Sequence, residues 1–530
     1  MFVKIGLFVI MSITATLAIA PALMLTPLIK ANQSEQARKL SIVDPSYFLN
    51  VTSHSGFLTI DEKYGSNTFF WYFPVMGKPV NKTPWIIWLQ GGPGASSIAG
   101  LFDEIGPFQF KDGILKKREW SWASNYSLLF IDNPVGAGYS FTNSPDGFIQ
   151  DMDVCGTHLY IALRQFLMIF PELQKVPLFI AGESYAGRYL PSFALKIKEQ
   201  DNKVGPLDVN FQGIMMGNPV LNRDSIADYT SVFQQWGLID MQAAQAMRKL
   251  QENYTRALEK NRPEEAYNLR NVLLDKLSEL SMQYQLFNLL EDSIDSEVKS
   301  FINYIEQPDI KEAIHAGNIK FSFSNYTVHI KLIPDFIEDV APKVTDLLEH
   351  YRILIYCGQL DLTTPCVLNA QSRRRKWHWN GRDQFLNAPR NPWWYNNTVA
   401  GYVKSGGRLT EVLVRGAGHL APMDKPAEVL NLISSFIRGY DMPVPPNYIT
   451  QPEFTPEYKP DNIKVAGNIQ ADASTGANVG LIVSILLNVI LIIAIALGVV
   501  FYLKWKKNHE LFLYNNMEET GVAESVLSLS

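Results

Sequence analysis

The stretch Pro177-Leu-Phe-Ile-Ala-Gly-Glu-Ser-Tyr-Ala-Gly-Arg-Tyr189 limits the fold of this 530-residue chain more than any other. Leu178 to Ala181 is an apolar run of strand length, and it breaks at Gly182. Ser184 follows, with small residues Gly182, Ala186 and Gly187 around it. A strand that turns sharply into a helix, lifting a serine hydroxyl off the end of a sheet, requires such neighbours. The turn is strained and the helix must pack close. Ala186 stands where the generic Gly-x-Ser-x-Gly pattern ends in glycine, so this stretch alone also fits a glycine turn with a surface serine.

Two distant stretches separate these readings. A nucleophilic serine needs a base and an orienting acid, and a serine on a strand-to-helix turn has them in the order Ser, Asp or Glu, His. Arg352-Ile-Leu-Ile-Tyr356 reads as a strand, and Cys357-Gly-Gln-Leu-Asp361 places a carboxylate just past its end. Glu411-Val-Leu-Val414 reads as another, with His419 just past it in Arg415-Gly-Ala-Gly-His419. Catalytic groups gather at the carboxyl ends of strands in open α/β sheets, so Ser184, Asp361 and His419 can converge.

These blocks resemble the serine carboxypeptidase family, and especially its vitellogenic-like branch. Trp88-Leu-Gln-Gly-Gly-Pro-Gly94 with Ser96-Ser97 is similar to the family's oxyanion loop, and Gly182-Glu-Ser-Tyr-Ala-Gly187 to its serine motif. Gly358-Gln-Leu-Asp361 and Gly416-Ala-Gly-His419, with Pro422 and Lys425-Pro426, resemble its acid and base motifs. Weaker matches lie at Asp132-Asn-Pro-Val-Gly136, Gly217-Asn-Pro219 and Pro308-Asp-Ile-Lys-Glu-Ala313. The resemblance runs from about Tyr47 to Tyr440. It implies an α/β-hydrolase fold with an inserted helical lid, and a serine-type carboxypeptidase acting on peptides with a free C-terminus.

By that resemblance Ser184 attacks the scissile carbonyl, His419 takes its proton and Asp361 orients the imidazole. The backbone N–H groups of Gly92 and Tyr185 form the oxyanion hole. Gln90, the Gly91 N–H, Glu104 and Glu183 hold the substrate carboxylate. Two glutamates can face a carboxylate only if crowding and burial keep a proton on them, which implies activity at acidic pH. Departures from the family pattern are Gln90 in place of Asn, Gln359 in place of a frequent acid, and Ala95 in place of the cysteine that ties the oxyanion loop to the lid. Other functions compatible with the chain are an acyltransferase using the same acyl-enzyme, or a membrane-tethered binding protein with an idle site.

A net charge of -5 with 47% hydrophobic residues describes a globular protein without a nucleic-acid footprint. No cofactor or metal is expected. His378 lies in an Arg/Trp-rich loop without ligands at zinc spacing, and Gly91-Gly-Pro-Gly94 lacks the Lys-Ser/Thr of a phosphate loop. Of 3 cysteines, Cys357 and Cys366 are close enough in sequence to pair, leaving Cys155 free; equally, all are compatible with buried thiols.

Lys4 precedes an apolar run from Ile5 to Ala20, then Pro21-Ala22 and a second apolar piece ending at Ile29. This predicts a signal peptide over 1–22, either cleaved near Ala22 or retained as an anchor. Sequons at Asn32, Asn50, Asn81, Asn125, Asn253, Asn325 and Asn396 agree with a lumenal body.

Gly56 to Phe73 predicts a hairpin turning at Asp61-Glu-Lys-Tyr-Gly65. Trp85-Ile-Ile-Trp-Leu89, Leu128 to Ile131, Leu178 to Ile180 and Phe211 to Met216 alternate with helical stretches, which predicts a mostly parallel sheet. After Asn222 the chain becomes charged and helix-periodic, as at Met247, Leu250, Tyr254 and Leu258. The division that follows is a first core part over 45–222, a helical lid over 223–340 and a second core part over 341–440, its sheet closing near Phe436. A Pro-rich and polar stalk covers 441–479.

Leu481 to Leu503 carries no charge. With Gly480 it makes 24 residues, about 36 Å as helix and enough to span a bilayer. Lys504, Lys506 and Lys507 put that end in the cytosol, predicting a type I membrane protein spanning at 480–503 with a tail over 504–530. Tyr514-Asn-Asn-Met517 resembles an endocytic or lysosomal sorting signal for an adaptor, and lysosome, endosome, Golgi and cell surface all remain open as the address.

Overall fold

Apolar runs such as Trp85-Ile-Ile-Trp-Leu89 lie side by side at the centre of a ten-stranded sheet in a computed structural model that describes residues 20–201, 209–291 and 300–439. The strands are β1 (His54–Asp61), β2 (Ser66–Phe73), β3 (Trp85–Leu89), β4 (Phe108–Lys111), β5 (Ile114–Lys117), β6 (Ser127–Ile131), β7 (Leu178–Glu183), β8 (Phe211–Gly217), β9 (Arg352–Gly358), β10 (Asn391–Tyr395), β11 (Thr398–Gly406) and β12 (Leu409–Val414). The order is β1-β2-β6-β3-β7-β8-β9-β12-β11-β10, with β4 and β5 forming a separate hairpin. From β6 to β12 every neighbouring pair is parallel, and the pairs at both edges are antiparallel.

Side-chain alternation divides the interior into two cores. Ile87, Leu129, Ile180, Ile214 and Ile355 point to one face, where, after the short helices α1 (Thr26–Lys30) and α2 (Ser34–Leu40), helices α3 (Met152–Ile169) and α4 (Ala186–Asp201) cover them. Ile86, Trp88, Phe130, Phe179, Met215 and Leu354 point to the other, packed with Leu432, Ile433 and Phe436 of the helix Pro426–Arg438. Strands buried on both faces need no polar side, so they read as continuous apolar runs.

The segment between β8 and β9 is largely helical. Its helices include α5 (Tyr229–Gln235), α6 (Met241–Glu259) and α7 (Pro263–Ser281), around a third core with Tyr254, Leu258, Leu273 and Leu277. Here Met247 and Leu250 are only half-buried against that core.

Two expectations are corrected. The sheet does not close near Phe436: its last strand ends at Val414, and Phe436 lies on a helix. An antiparallel β10–β11 hairpin extends the edge, turning at Asn396 and Asn397, both in the left-handed region that Asn tolerates. The chain before residue 45 is part of the folded body. Met24 bridges to Phe57, Leu25 is fully buried and Ile29 packs in the core, so the apolar piece ending at Ile29 serves as core.

Cys357 and Cys366 form a disulfide, and Cys155 is a buried free thiol. Most of the leader, at 1–19, lies outside the described residues, as do the stalk, the 480–503 span and the tail with Tyr514–Met517. Among the described residues no helix is long and apolar enough to cross a membrane.

Candidate active site

The serine turn forms as its sequence requires. Ser184 has φ +59°, inside the left-handed region that side chains rarely adopt, and its N–H donates to the Gly217 carbonyl at 2.9 Å. The conformation is held because the next residues run straight into α4. Gly91 passes directly over this turn: a Cβ there would meet the Tyr185 nitrogen at 2.6 Å and the Ser184 Cβ at 2.7 Å. Only glycine lets the loop after β3 come so near, which brings the Gly91-Gly92 backbone beside the Tyr185 N–H.

Asp132 holds that loop. Its Oδ1 accepts from Ser96 Oγ (2.5 Å) and the Ser97 N–H (2.9 Å), and its Oδ2 from the Tyr139 N–H (2.9 Å). Burial pushes its carboxyl up to about 6. Where Ala95 replaces the family's cysteine, the backbone makes the tie. Ala95 bridges Ser324, the Ser96 N–H donates to Phe323 O at 2.9 Å and the Asn325 N–H to Gly94 O at 3.0 Å.

Asp361 and His419 lie past the ends of β9 and β12 and meet. His419 Nδ1 is 2.7 Å from Asp361 Oδ2, and both are buried. Four further donors surround the carboxylate: the N–H groups of Thr363 (2.7 Å) and Thr364 (3.0 Å), Thr364 Oγ1 (2.7 Å) and Asn218 Nδ2 (2.6 Å). Burial alone would raise the Asp361 carboxyl, but the adjacent His419 and these donors outweigh it and hold it below the usual range. The carboxylate therefore accepts from Nδ1–H, leaving Nε2 as the basic nitrogen. The Gly418 N–H donates to Asp424 at 2.6 Å, which fixes the loop before the imidazole. Ser184 is the partly exposed member of the three.

Gln90, Glu104 and Glu183 form one buried cluster. Gln90 Nε2 donates to Glu183 Oε1 at 2.6 Å and to Glu104 Oε1 at 3.2 Å, while Trp88 Nε1 donates to Gln90 Oε1 at 2.9 Å. That last bond fixes which end of the amide faces the acids. Glu104 sits on a π-helical turn, Gly100–Ile105, whose carbonyls from Phe102 and Asp103 accept from the Arg118 guanidinium. Burial pushes Glu104 up to about 7. Burial and then the neighbouring Glu104 push Glu183 well above the carboxylate range. Among the described residues Glu104 Oε2 and Glu183 Oε2 lack a donor, a state that a proton on the pair relieves.

The sequence-predicted residues stand at the carboxyl ends of β3, β7, β9 and β12 in two sets: Gly91 packs on Ser184 and Tyr185 beside the Gln90, Glu104 and Glu183 cluster, and His419 pairs with Asp361, with no hydrogen bond between Ser184 and His419 among the described residues. Trp88 stands in a motif that the sequence shows without a role of its own, and Asn218, Thr364, Phe287 and Arg118 have no role legible in the sequence. Asn218 and Asp132 stand in blocks noted only as weak resemblances, whereas Phe287 carried no signal. Of the sequons, Asn32, Asn50, Asn81 and Asn396 are exposed, and Asn125 and Asn253 half-buried. At Asn325 the amide nitrogen donates to Gly136 O at 3.0 Å while the side-chain oxygen caps a helix, so both ends are engaged.

The family model described as Serine carboxypeptidase matches residues 44–439. The chain is similar to a venom serine carboxypeptidase of Apis mellifera, 36% identical over 78% of this chain and 90% of that protein. It is 34% identical to the "Probable serine carboxypeptidase CPVL" of Homo sapiens, over 79% of this chain and 90% of that one. A vitellogenic carboxypeptidase of Aedes aegypti is also 34% identical, over 78% of this chain and 89% of that one. The crystal structure of a prohormone-processing carboxypeptidase, Kex1Δp from Saccharomyces cerevisiae, superposes with TM-score 0.67 at 24% identity, covering 76% of this chain and 96% of that one, a likeness of fold. The chain belongs to the serine carboxypeptidase family.

Proposed function

We propose that this chain removes single residues from the C-termini of peptides by an acyl-enzyme route, working best at acidic pH. Ser184 adds to the scissile carbonyl as His419 accepts its proton. Asp361 keeps the imidazole in the required tautomer and stabilises its positive charge. The N–H groups of Gly92 and Tyr185 stabilise the oxyanion; in a studied enzyme one such donor was worth roughly 2.7–4 kcal/mol. The protonated imidazole then releases the amino acid, and water cleaves the acyl-enzyme.

The observation that carries this reading is the Gln90 amide bridging two buried carboxyls beside the serine turn. A proton kept on that pair gives a neutral donor for the substrate's terminal carboxylate, together with Gln90 and the Gly91 N–H. An endopeptidase or esterase needs no such feature.

The test is release of amino acid from a blocked dipeptide and from its C-terminal amide, using the full chain in detergent across mildly acid to mildly alkaline pH. Release from the acid alone, lost in Ser184→Ala, is expected. Equal cleavage of the amide would retain the serine chemistry and remove the carboxylate site.

The segment 223–340 serves in this reading as the lid that shapes the substrate pockets, between core parts at 45–222 and 341–440. On sequence alone we further assign 1–22 to a signal peptide, 441–479 to a stalk, 480–503 to a membrane span and 504–530 to a cytosolic tail whose Tyr514–Met517 meets a sorting adaptor. The body then lies in an endomembrane lumen or outside the cell, a lysosome being compatible with the acidic optimum. Exposure of Asn32, Asn50, Asn81 and Asn396 is consistent with glycosylation there.

A further inference from the structure

The guanidinium of Arg270, on α7, is surrounded by aromatic rings, and among the described residues its terminal nitrogens have no hydrogen-bond partner. Its carbon lies 5.2 Å from the Tyr229 ring centroid and 5.6 Å from that of Phe336. Its Nε donates to Tyr229 Oη at 2.8 Å. Tyr254 and Tyr267 complete the surroundings, with Tyr267 Oη 2.7 Å from His329 Nε2. Among the described residues, Nη1 and Nη2 donate to no group, and they are not sealed from solvent. The contrast with other interior arginines is direct: Arg188 faces Asp335 and Arg373 faces Glu411. Cations withdrawn from water are ordinarily paired, so an arginine held by two rings with its terminal donors unused is built to receive an anion from outside the chain.

Its position says which anion. Tyr229 Oη donates to Thr363 O at 3.0 Å, and the Thr363 N–H donates to Asp361. Phe336, the second ring beside Arg270, stacks near-parallel with Tyr185 at 6.5 Å. Arg270 therefore borders the catalytic centre through the acid's loop and through the residue after Ser184. The sheet order β3-β7-β8-β9 sets Ser184 between two sides. Gln90 and Glu183, at the ends of β3 and β7, take the leaving residue with its carboxylate. The side toward β9, where Thr363 and Tyr229 stand, is left for the residue on the acyl side of the scissile bond.

We propose that Arg270 is a specificity-determining residue that binds an acidic side chain in the penultimate residue of the peptide. This deepens the carboxypeptidase reading and rests on it. The planar donors of Arg270 suit a carboxylate bidentately, and the Nε bond to Tyr229 Oη with the two neighbouring rings restricts the side chain before binding, so less entropy is lost.

The experiment compares kcat/KM for blocked dipeptides with Glu, Gln, Ala or Lys in the penultimate position and one constant terminal residue. A second series places Glu or Gln at the terminal position. The full chain and its Arg270→Gln, Arg270→Lys and Arg270→Glu variants are used, each titrated with a serine-directed phosphonate to count working sites. Penultimate Glu is expected to exceed Gln by about tenfold, mainly through KM, with the preference lost in Arg270→Gln, partly kept in Arg270→Lys and turned toward Lys in Arg270→Glu. Equal rates for Glu and Gln in the unaltered chain would overturn the proposal. So would a Glu preference confined to the terminal position, or a fall in Arg270→Gln equal for all substrates per labelled site. Absence of hydrolysis of every dipeptide would instead overturn the carboxypeptidase reading beneath it.

Discussion

The ring of Phe287 lies over the imidazole of His419, with centroids 4.8 Å apart and 29° between planes. The contact belongs to a strap, Leu286 to Leu289, that hydrogen-bonds both catalytic loops. The His419 N–H donates to Phe287 O at 2.6 Å, the Leu362 N–H to Leu286 O at 3.0 Å and the Leu289 N–H to Leu360 O at 2.9 Å. A piece of the insertion thus fixes the spacing between the acid and the base.

Truncating that ring tests the strap. Phe287→Ala keeps the backbone bonds and lets the imidazole tilt and take up water. The expected result is a fall in kcat of roughly tenfold with little change in KM, since misplacement by a fraction of an ångström acts on the chemical step. Phe287 is 39% exposed, so thermal unfolding should shift only slightly. An unaltered kcat would mean that the stack has no part in catalysis.

The pH profile follows from the carboxyl pair. With Glu104 pushed up to about 7 and Glu183 held higher, both carboxyls keep their protons below that pH. As pH rises through about 7 Glu104 ionises while Glu183, held higher by burial and by the neighbouring Glu104, keeps its proton, and the new charge repels the substrate carboxylate. On the alkaline side kcat/KM should fall about tenfold per pH unit, mostly through KM. Glu104→Gln carries a permanent amide donor and should flatten that limb. The sign for stability is the same: a carboxyl raised in the fold above its ordinary 4.5 contributes fully below that value, and the contribution is lost as pH climbs through about 7. Denaturant unfolding should therefore lose part of its pH slope between those limits in Glu104→Gln.

Asn218 offers a subtler change. Its amide donates to Asp361 Oδ2 at 2.6 Å and accepts from the Gly358 N–H at 3.1 Å. Asn218→Asp keeps the shape and the acceptor but sets a second carboxylate against Asp361. The pair would then compete for one proton, weakening Asp361 as the partner of His419. We expect kcat to drop ~10–100-fold while KM stays within about twofold, read from steady-state kinetics on one dipeptide. Equal effects on kcat and on site labelling by phosphonate would point to misfolding.

Removal of the disulfide should act on stability before activity. Cys357 and Cys366 close a short loop that contains Asp361, with 9 residues of sequence separation. A loop of this length constrains the unfolded chain by about 2–3 kcal/mol in the chain-entropy account. The double variant Cys357→Ala, Cys366→Ala should therefore unfold at lower denaturant with an unchanged m-value. Its residual kcat reports how far Thr363 and Thr364 hold the carboxylate unaided.

The sequence by itself determined the central strands, the serine turn and the order of Ser184, Asp361 and His419. These rest on local causes. A strand buried on both faces must be apolar throughout, as at Trp85 to Leu89, and a turn at positive φ beside a close-packed helix must be flanked by small residues, as at Gly182 and Gly187. What only the tertiary structure decided depends on partners distant in sequence. Leu25 reads only as part of an apolar piece after the leader until Phe57 is seen beside it. Pro392 and Gly401 conceal the β10–β11 hairpin, because proline and glycine are poor strand formers that an edge tolerates. Gln90 could be placed near the serine by resemblance, but its hold on Glu104 and Glu183 depends on the π-helical turn and on Trp88 orienting the amide. Phe287 and Arg270 carry no local pattern at all. Each gains its meaning from packing a segment of the insertion against the ends of the sheet, which no short-range preference of the chain encodes.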